Sequence, residues 1–163
     1  GGTPFSLPSP PRSMTTPPPA PLVGRTAVPR PLFQDPCPAG FPSPALDYVE
    51  RALDLNELVI SDPAATYYVR AEGRSEMRAG VWSGDLLVIN AALMPAHGDL
   101  VVAFVDGEHT VKRFCRDRTG VYLAPDPLPE EAHRYAEIRF QDGQELLITG
   151  VVTHVIRTLR RQP

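Results

Sequence analysis

Residues 97–114 read HGDLVVAFVDGEHTVKRF, two apolar runs joined by a dipeptide typical of a tight turn. Asp106-Gly107 is a strong hairpin signal, because a two-residue primed turn needs positive φ at both of its central residues. The runs on either side are rich in β-branched and aromatic residues, which favour strands. This stretch therefore predicts a β-hairpin.

The same strand-like composition recurs through the second half of the chain. After Asp62-Pro63, the segments of this kind are TYYVRA, DLLVIN, DLVVAFV, HTVKRF, VYLA, EIRF and ELLITGVVTHVIRTL. Before them, Pro44 followed by Leu46, Val49 and Leu53 at helical spacing predicts one short amphipathic helix. The predicted fold class is mostly β, an antiparallel β domain with one short helix.

Proline dominates the beginning of the chain. Fourteen of the 20 prolines fall within residues 1–44, interleaved with Ser, Thr, Ala and Gly. Proline removes amide donors and fixes φ, so this composition predicts an extended, largely disordered arm and excludes a helix or a central strand. We expect a cleavable arm over residues 1–39 and a β domain over residues 40–163.

Charge and cysteine content indicate no special partner. A formal net charge of -3 gives no reason to expect sequence-specific DNA binding. Cys37 and Cys115 are not placed at metal-ligand spacing, so no metal, cofactor or disulfide framework is predicted. The chain has no apolar run long enough to span a bilayer and no signal pattern, so we expect a soluble, cytoplasmic protein.

Lys112 is the only lysine, against fifteen arginines. Arginine cannot lose its proton near neutral pH, whereas burial lowers the pKa of a lysine and makes a neutral amine available as a general base. Strand alternation places Thr110 and Phe114 on the face of Lys112. Most lysines are solvated, so a catalytic role for Lys112 depends on a partner.

Ser75 is the candidate partner, in the polar turn AEGRSEM that follows TYYVRA. A serine on a tight turn after a strand can present its hydroxyl beside backbone amides that stabilise an oxyanion. Most Gly-X-Ser turns, however, only change the chain direction. His97-Gly98-Asp99 offers a rival histidine-based triad, but its position before a strand favours a turn histidine.

The arm contains a possible substrate, PCPAGFPSP at residues 36–44. Its prolines hold the chain extended, the form that a protease groove binds, and Ala39-Gly40 is its one unhindered peptide bond. The alternative is that this segment is simply a linker.

The chain resembles the LexA/UmuD family of self-cleaving serine/lysine peptidases. The resemblance runs from about Pro31 to Arg160, through AGFPSPALDYVERALDLNEL, ATYYVRAEGRSEM, GDLLVINAAL, HGDLVVAFVDGEHTVKRF and GVVTHVIRTL. It implies that Ser75 is the nucleophile, Lys112 the general base, and the bond between Ala39 and Gly40 the scissile bond. LexA-type members have Ala-Gly at this bond, and UmuD-type members have Cys-Gly.

The resemblance also implies a role in the DNA-damage (SOS) response. A RecA filament on single-stranded DNA would stimulate self-cleavage, and the trimmed homodimer would join a UmuC-like polymerase as a subunit of a translesion DNA polymerase. The family usually has Met after the nucleophile, where this chain has Glu76. A carboxylate facing the cleft favours a protonated lysine and slow cleavage, whereas one facing solvent changes little.

Three alternative functions are to be weighed against this one. A LexA-like repressor needs an N-terminal helix-turn-helix domain, which roughly 40 proline-rich residues cannot supply. A membrane signal peptidase shares the Ser/Lys chemistry but needs a transmembrane anchor. A non-catalytic interaction subunit, in which Glu76 has disabled cleavage, is the alternative from another functional class.

Overall fold

The computed structural model describes residues 27–34, 37, 49–74, 76–140 and 147–160. These residues divide into two compact units, with the division between Ser61 and Asp62. Ala39, Gly40 and Ser75 lie outside the described residues, so the predicted boundary between residues 39 and 40 stays a prediction.

The first unit contains a two-stranded antiparallel sheet and a short helix. Strand β1 (Arg30–Phe33) pairs with β2 (Val49–Leu53), and helix α1 (Leu55–Val59) follows. Part of the proline-rich segment is therefore a paired strand. Each strand of a two-stranded sheet keeps a free edge, and edge strands tolerate proline.

The predicted helix through Val49 and Leu53 is wrong, because both residues lie on β2. Residues four apart share a face in a helix and also in a strand, so this spacing did not distinguish the two structures. The helix begins instead after Asp54, whose carboxylate accepts a hydrogen bond from the Asn56 amide at 3.0 Å. This is an ordinary N-cap.

The second unit is a seven-stranded sheet in the order β3-β4-β9-β5-β6-β7-β8, and every described pairing in it is antiparallel. The mostly β fold is confirmed. Its strands are β3 (Thr66–Arg70), β4 (Leu86–Asn90), β5 (Leu100–Val105), β6 (Glu108–Asp117), β7 (Gly120–Ala124), β8 (Ile138–Arg139) and β9 (Leu147–Ile156). Short 3₁₀ turns occur at Pro63–Ala65, Met77–Ala79 and Pro129–Arg134.

The core consists of two apolar clusters. One contains Val101, Ala103, Phe114, Leu123, Ile148 and Val151, and the other contains Ala71, Val81, Leu87, Ile89 and Val102. Val101 and Val102 are consecutive on β5, and consecutive strand residues point to opposite faces. Strand β5 is therefore buried on both faces.

The predicted β-hairpin is confirmed between β5 and β6. Asp106 and Gly107 have φ values of 49° and 84°, and Val105 pairs with Glu108 across the two-residue loop. This turn sets the register of the whole hairpin. It places Lys112 opposite Val101, on the strand next to the central strand of the sheet.

Candidate active site

Lys112 is buried on β6. Only 9% of the residue is exposed, and Phe114, two positions further along the same strand, is 1% exposed. The Lys112 Nζ atom lies 3.4 Å from Glu76 Oε1 and donates to the Val111 carbonyl oxygen at 3.2 Å. Lys112 is therefore buried, and its amine faces polar partners.

The candidate nucleophile turn joins β3 to the 3₁₀ turn Met77–Ala79. The Met77 amide donates to the Arg74 carbonyl at 3.4 Å, and the amides of Ala79 and Val81 donate to the Glu76 carbonyl at 3.1 and 3.2 Å. Ser75 stands in the sequence between the described residues Arg74 and Glu76. The backbone on both sides of it is thus held by hydrogen bonds.

Glu76 points inward. Its exposure is 3%, and its carboxylate forms the ion pair with Lys112. Of the two orientations considered for this carboxylate, the structure shows the one that faces the lysine. Lys112 therefore contacts the residue that directly follows Ser75 in the sequence.

Asp126 connects the candidate nucleophile turn to the lysine strand, which the sequence did not predict. Its carbonyl accepts from the Arg78 amide at 2.9 Å, and its carboxylate lies 3.1 Å from Arg113 Nη2 and 3.8 Å from Arg78 Nε. Arg113 follows Lys112 and also donates to the Gly98 carbonyl at 2.6 Å. Nothing in the local pattern PDPLP around Asp126 indicates this contact.

A second connection joins the turn to the segment Pro129–Arg134. Arg74 Nε donates to Glu131 Oε2 at 2.8 Å, and this hydrogen bond together with the carboxylate charge raises the pKa of the Arg74 guanidinium. About half of the Arg74 side chain is exposed, so the contact orients the turn more than it stabilises the fold.

Asp85 closes the other end of the loop that carries the turn. Its carboxylate accepts from the Trp82 amide and from Arg157 Nε, both at 2.7 Å, and its carbonyl accepts from the Ala71 amide at 2.8 Å. The hydrogen bond from Arg157 lowers the pKa of Asp85 below its ordinary value, although burial opposes the shift. Arg157 also donates to the Gly80 carbonyl at 3.0 Å.

A cavity of about 300 Å³ adjoins Glu76. The end of β3, the turn and the first half of β6 line it, with both apolar and polar side chains, among them Val69, Glu72, His109 and Val111. A cavity of this size accepts a few side chains of an extended peptide.

The histidine triad considered from the sequence does not form a catalytic arrangement. His97 Nδ1 accepts a hydrogen bond from the Arg116 amide at 2.9 Å, and Asp99 Oδ2 accepts from the Ala96 amide at 2.9 Å. Both side chains therefore accept hydrogen bonds from backbone amides. This is the turn histidine that its position favoured.

The described residues contain no cluster of His, Cys, Asp or Glu side chains able to hold a metal ion. Cys37 is exposed, Cys115 is buried, and both thiols are free. No helix in the described part of the chain is long and apolar enough to cross a membrane.

Comparison with known proteins gives extensive matches. The Peptidase S24-like family profile matches residues 31–153. Protein ImpA of Salmonella typhimurium is 49% identical over 142 residues, which cover 87% of this chain and 93% of ImpA. Protein SamA of Salmonella typhimurium strain LT2 is 48% identical over 130 residues, covering 80% of this chain and 86% of SamA.

A more distant relative extends the same pattern. Protein MucA of Escherichia coli is 35% identical over 126 residues, covering 76% of this chain and 82% of MucA. These matches support the serine peptidase kind of chemistry and a UmuD-like mutagenesis role. The chain belongs to the Peptidase S24-like family and is of the LexA/UmuD type.

Proposed function

We propose that this chain is a DNA-damage-response mutagenesis protein that cuts itself between Ala39 and Gly40. Neutral Lys112 takes the proton of the Ser75 hydroxyl, and the Ser75 oxygen attacks the Ala39 carbonyl carbon. The bond to Gly40 breaks, the protonated lysine gives its proton to the departing amine, and water then hydrolyses the acyl-enzyme. Backbone amides near Ser75 hold the oxyanion.

The observation that carries this proposal is the position of Lys112. The only lysine of the chain is buried, and its amine contacts the residue that follows Ser75. Thirty-six positions separate Lys112 from Glu76, so the fold and not the local sequence brings them together. A base must lie within hydrogen-bond reach of its nucleophile. The contact between Lys112 and Glu76 supports such a position for Lys112 relative to Ser75.

The cavity beside Glu76 supports a peptide substrate. Its lining combines apolar side chains such as Val69 and Val111 with the polar groups Glu72 and His109. A tethered arm has a high effective concentration at such a site, so control of cutting lies in docking and in the protonation of the lysine. Cleavage would release residues 1–39 and leave residues 40–163 as the active fragment.

Family membership supports the partners in this proposal. A RecA filament on single-stranded DNA stimulates self-cleavage, and the trimmed chain acts in the cytoplasm as a homodimer that joins a UmuC-like polymerase in translesion synthesis. The formal net charge of -3 gives no reason to add sequence-specific contact with DNA to this proposal.

The test is mass spectrometry of the purified chain after incubation with RecA, ATP and single-stranded DNA. The expected products are residues 1–39 and 40–163. Ser75→Ala and Lys112→Arg should each abolish cutting, because arginine keeps the charge but cannot act as a base near neutral pH. Ser83→Ala is the matched control, since Ser83 is an exposed serine on a neighbouring turn.

Two outcomes would contradict this assignment. Cutting retained in Lys112→Arg would reject the lysine base. Products that end at a different bond would reject Ala39-Gly40 as the scissile bond. Thermal unfolding of each variant shows whether the fold is kept.

A second candidate function is a non-catalytic interaction subunit, and the ion pair between Glu76 and Lys112 favours it. Incubation of the pure chain at alkaline pH separates the two functions. A lysine base predicts faster self-cutting as the pH rises, whereas an interaction subunit remains intact at every pH.

A further inference from the structure

We propose that Glu76 is an inhibitory residue of the reaction centre, which holds Lys112 as an ammonium ion and so sets the rate of self-cleavage. This inference rests on the proposed function and adds a regulation to it. Neither the family match nor the relatives' names assign a role to this position.

The geometry places the two charges together in a site with little solvent. Glu76 Oε1 lies 3.4 Å from Lys112 Nζ, and the side chains are 3% and 11% exposed. The attraction between opposite charges strengthens as water is removed, because the effective dielectric constant falls. A carboxylate at this distance favours the ammonium form over the neutral amine.

The ammonium form cannot perform the proposed chemistry. It has three donors and no lone pair, so it cannot accept the proton of Ser75. Lys112 must first release one proton to solvent, and this removes the positive charge that faces the buried Glu76 carboxylate. A buried charge that loses such a counter-ion is costly, so the ion pair opposes activation of the base.

Other charged and titratable side chains of the described residues lie around this part of the fold. Arg70, Glu72 and His109 line the same cavity. Arg74 pairs with Glu131, and Arg113 pairs with Asp126. Among the described side chains, Glu76 is the carboxylate that pairs with Lys112.

The chain offers a direct readout, because Lys112 is its only ε-amine. An amine-reactive acetylating reagent modifies only neutral amines, and mass spectrometry reports modification at this single lysine. The labelling rate is measured against pH in a Ser75→Ala background, where cutting cannot interfere. Glu76→Gln keeps the shape of the side chain and removes its charge. Glu108→Gln is the control, because Glu108 is an exposed carboxylate on the strand that carries Lys112.

Glu76→Gln should raise the labelling rate near neutral pH severalfold, because it removes the negative charge that faces the amine at 3.4 Å. The gain should disappear at high pH, where the amine is neutral in both proteins. Glu108→Gln should label as the parent does. A gain that persists at every pH would indicate greater access of the reagent, and it would overturn the proposal, as would equal rates at neutral pH.

The rate of self-cleavage tests whether Glu76 limits the reaction. With Ser75 intact, Glu76→Gln and Glu76→Met should cut themselves faster than the parent chain, and the Met variant serves if the Gln variant does not fold. Cutting by the parent chain with no acceleration in either variant would overturn the inhibitory role but keep the peptidase. Faster labelling with no cutting in any variant would instead overturn the proposed function.

Discussion

Asp85 should contribute substantially to the stability of the loop that carries the candidate nucleophile, and removing its carboxylate tests this directly. The Asp85 residue is 2% exposed and accepts hydrogen bonds from Arg157 and from the Trp82 amide. Hydrogen bonds that involve a charged group contribute about 1.5–3 kcal/mol each. The Arg157 side chain is 38% exposed and returns to water when its partner is removed, so its share must be reduced.

We therefore expect Asp85→Ala to lower the free energy of unfolding by about 3 kcal/mol. For a chain of this size, about 2–4 °C of Tm corresponds to each kcal/mol, so the Tm should fall by about 6–12 °C. Asp85→Asn keeps one acceptor for the Trp82 amide and should lose about half as much. Asp117→Asn is the matched control, because Asp117 pairs with Arg139 on the exposed surface and should change the Tm little.

The contribution of Asp85 to the free energy of unfolding should depend on pH, in a direction that follows from its pKa. The pKa of Asp85 is lowered in the folded state by its hydrogen bond from Arg157, so its contribution is present above the ordinary pKa of 3.8 and is lost as the pH falls through the lowered value. Calorimetric unfolding of the parent chain and Asp85→Ala should show the full Tm difference at neutral pH and a shrinking difference below about pH 4. A difference that stays constant into strong acid, or one below about 1 kcal/mol at neutral pH, would refute the electrostatic account.

Three further predictions follow from other contacts. A Cβ at Gly150 would collide with the buried Ile89 side chain. Gly150→Ala should therefore lower the free energy of unfolding, measured in urea, by about 1–3 kcal/mol. An unchanged urea midpoint would show that β4 and β9 can move apart. Gly107→Ala should cost about 1 kcal/mol in the same measurement, because φ at this turn is 84°, and no loss would mean that the hairpin adopts another turn. Asp126→Asn should slow self-cleavage severalfold while the stability falls by no more than about 1 kcal/mol, and Asp126→Glu should restore the rate. A normal cleavage rate in Asp126→Asn would remove Asp126 from the positioning of the site.

The strands of the larger sheet were predictable because their residues combine β propensity with clear turn signals. Asp106-Gly107 illustrates this, since the left-handed backbone at both positions follows from their residue types. Val49 and Leu53 illustrate the opposite case. Their separation by four positions fits either a helix or a strand, and pairing with Arg30–Phe33, a partner distant in sequence, decided in favour of the strand.

The candidate site shows the same division. Lys112 could be singled out from composition as the only lysine beside fifteen arginines, although a catalytic role still depended on a partner. The orientation of Glu76 could not be predicted from the sequence. A turn residue can face solvent or the interior, and the backbone geometry that decides this is not fixed by the local sequence. Asp126 was missed for a related reason, because its contacts to Arg78 and Arg113 depend on three segments that only the folded sheet brings together.

The basic residues around the candidate site divide into two chemical roles. Arg74, Arg113 and Arg157 hold fixed ion pairs with Glu131, Asp126 and Asp85, and a guanidinium suits such contacts because it stays charged and bonds in a rigid plane. The residue that faces Glu76 is instead a lysine, whose charge can be removed. An arginine at position 112 would form a stronger pair and could never become a base near neutral pH. The use of lysine at this one position is therefore better explained by a pair that must come apart than by a pair that only stabilises the fold.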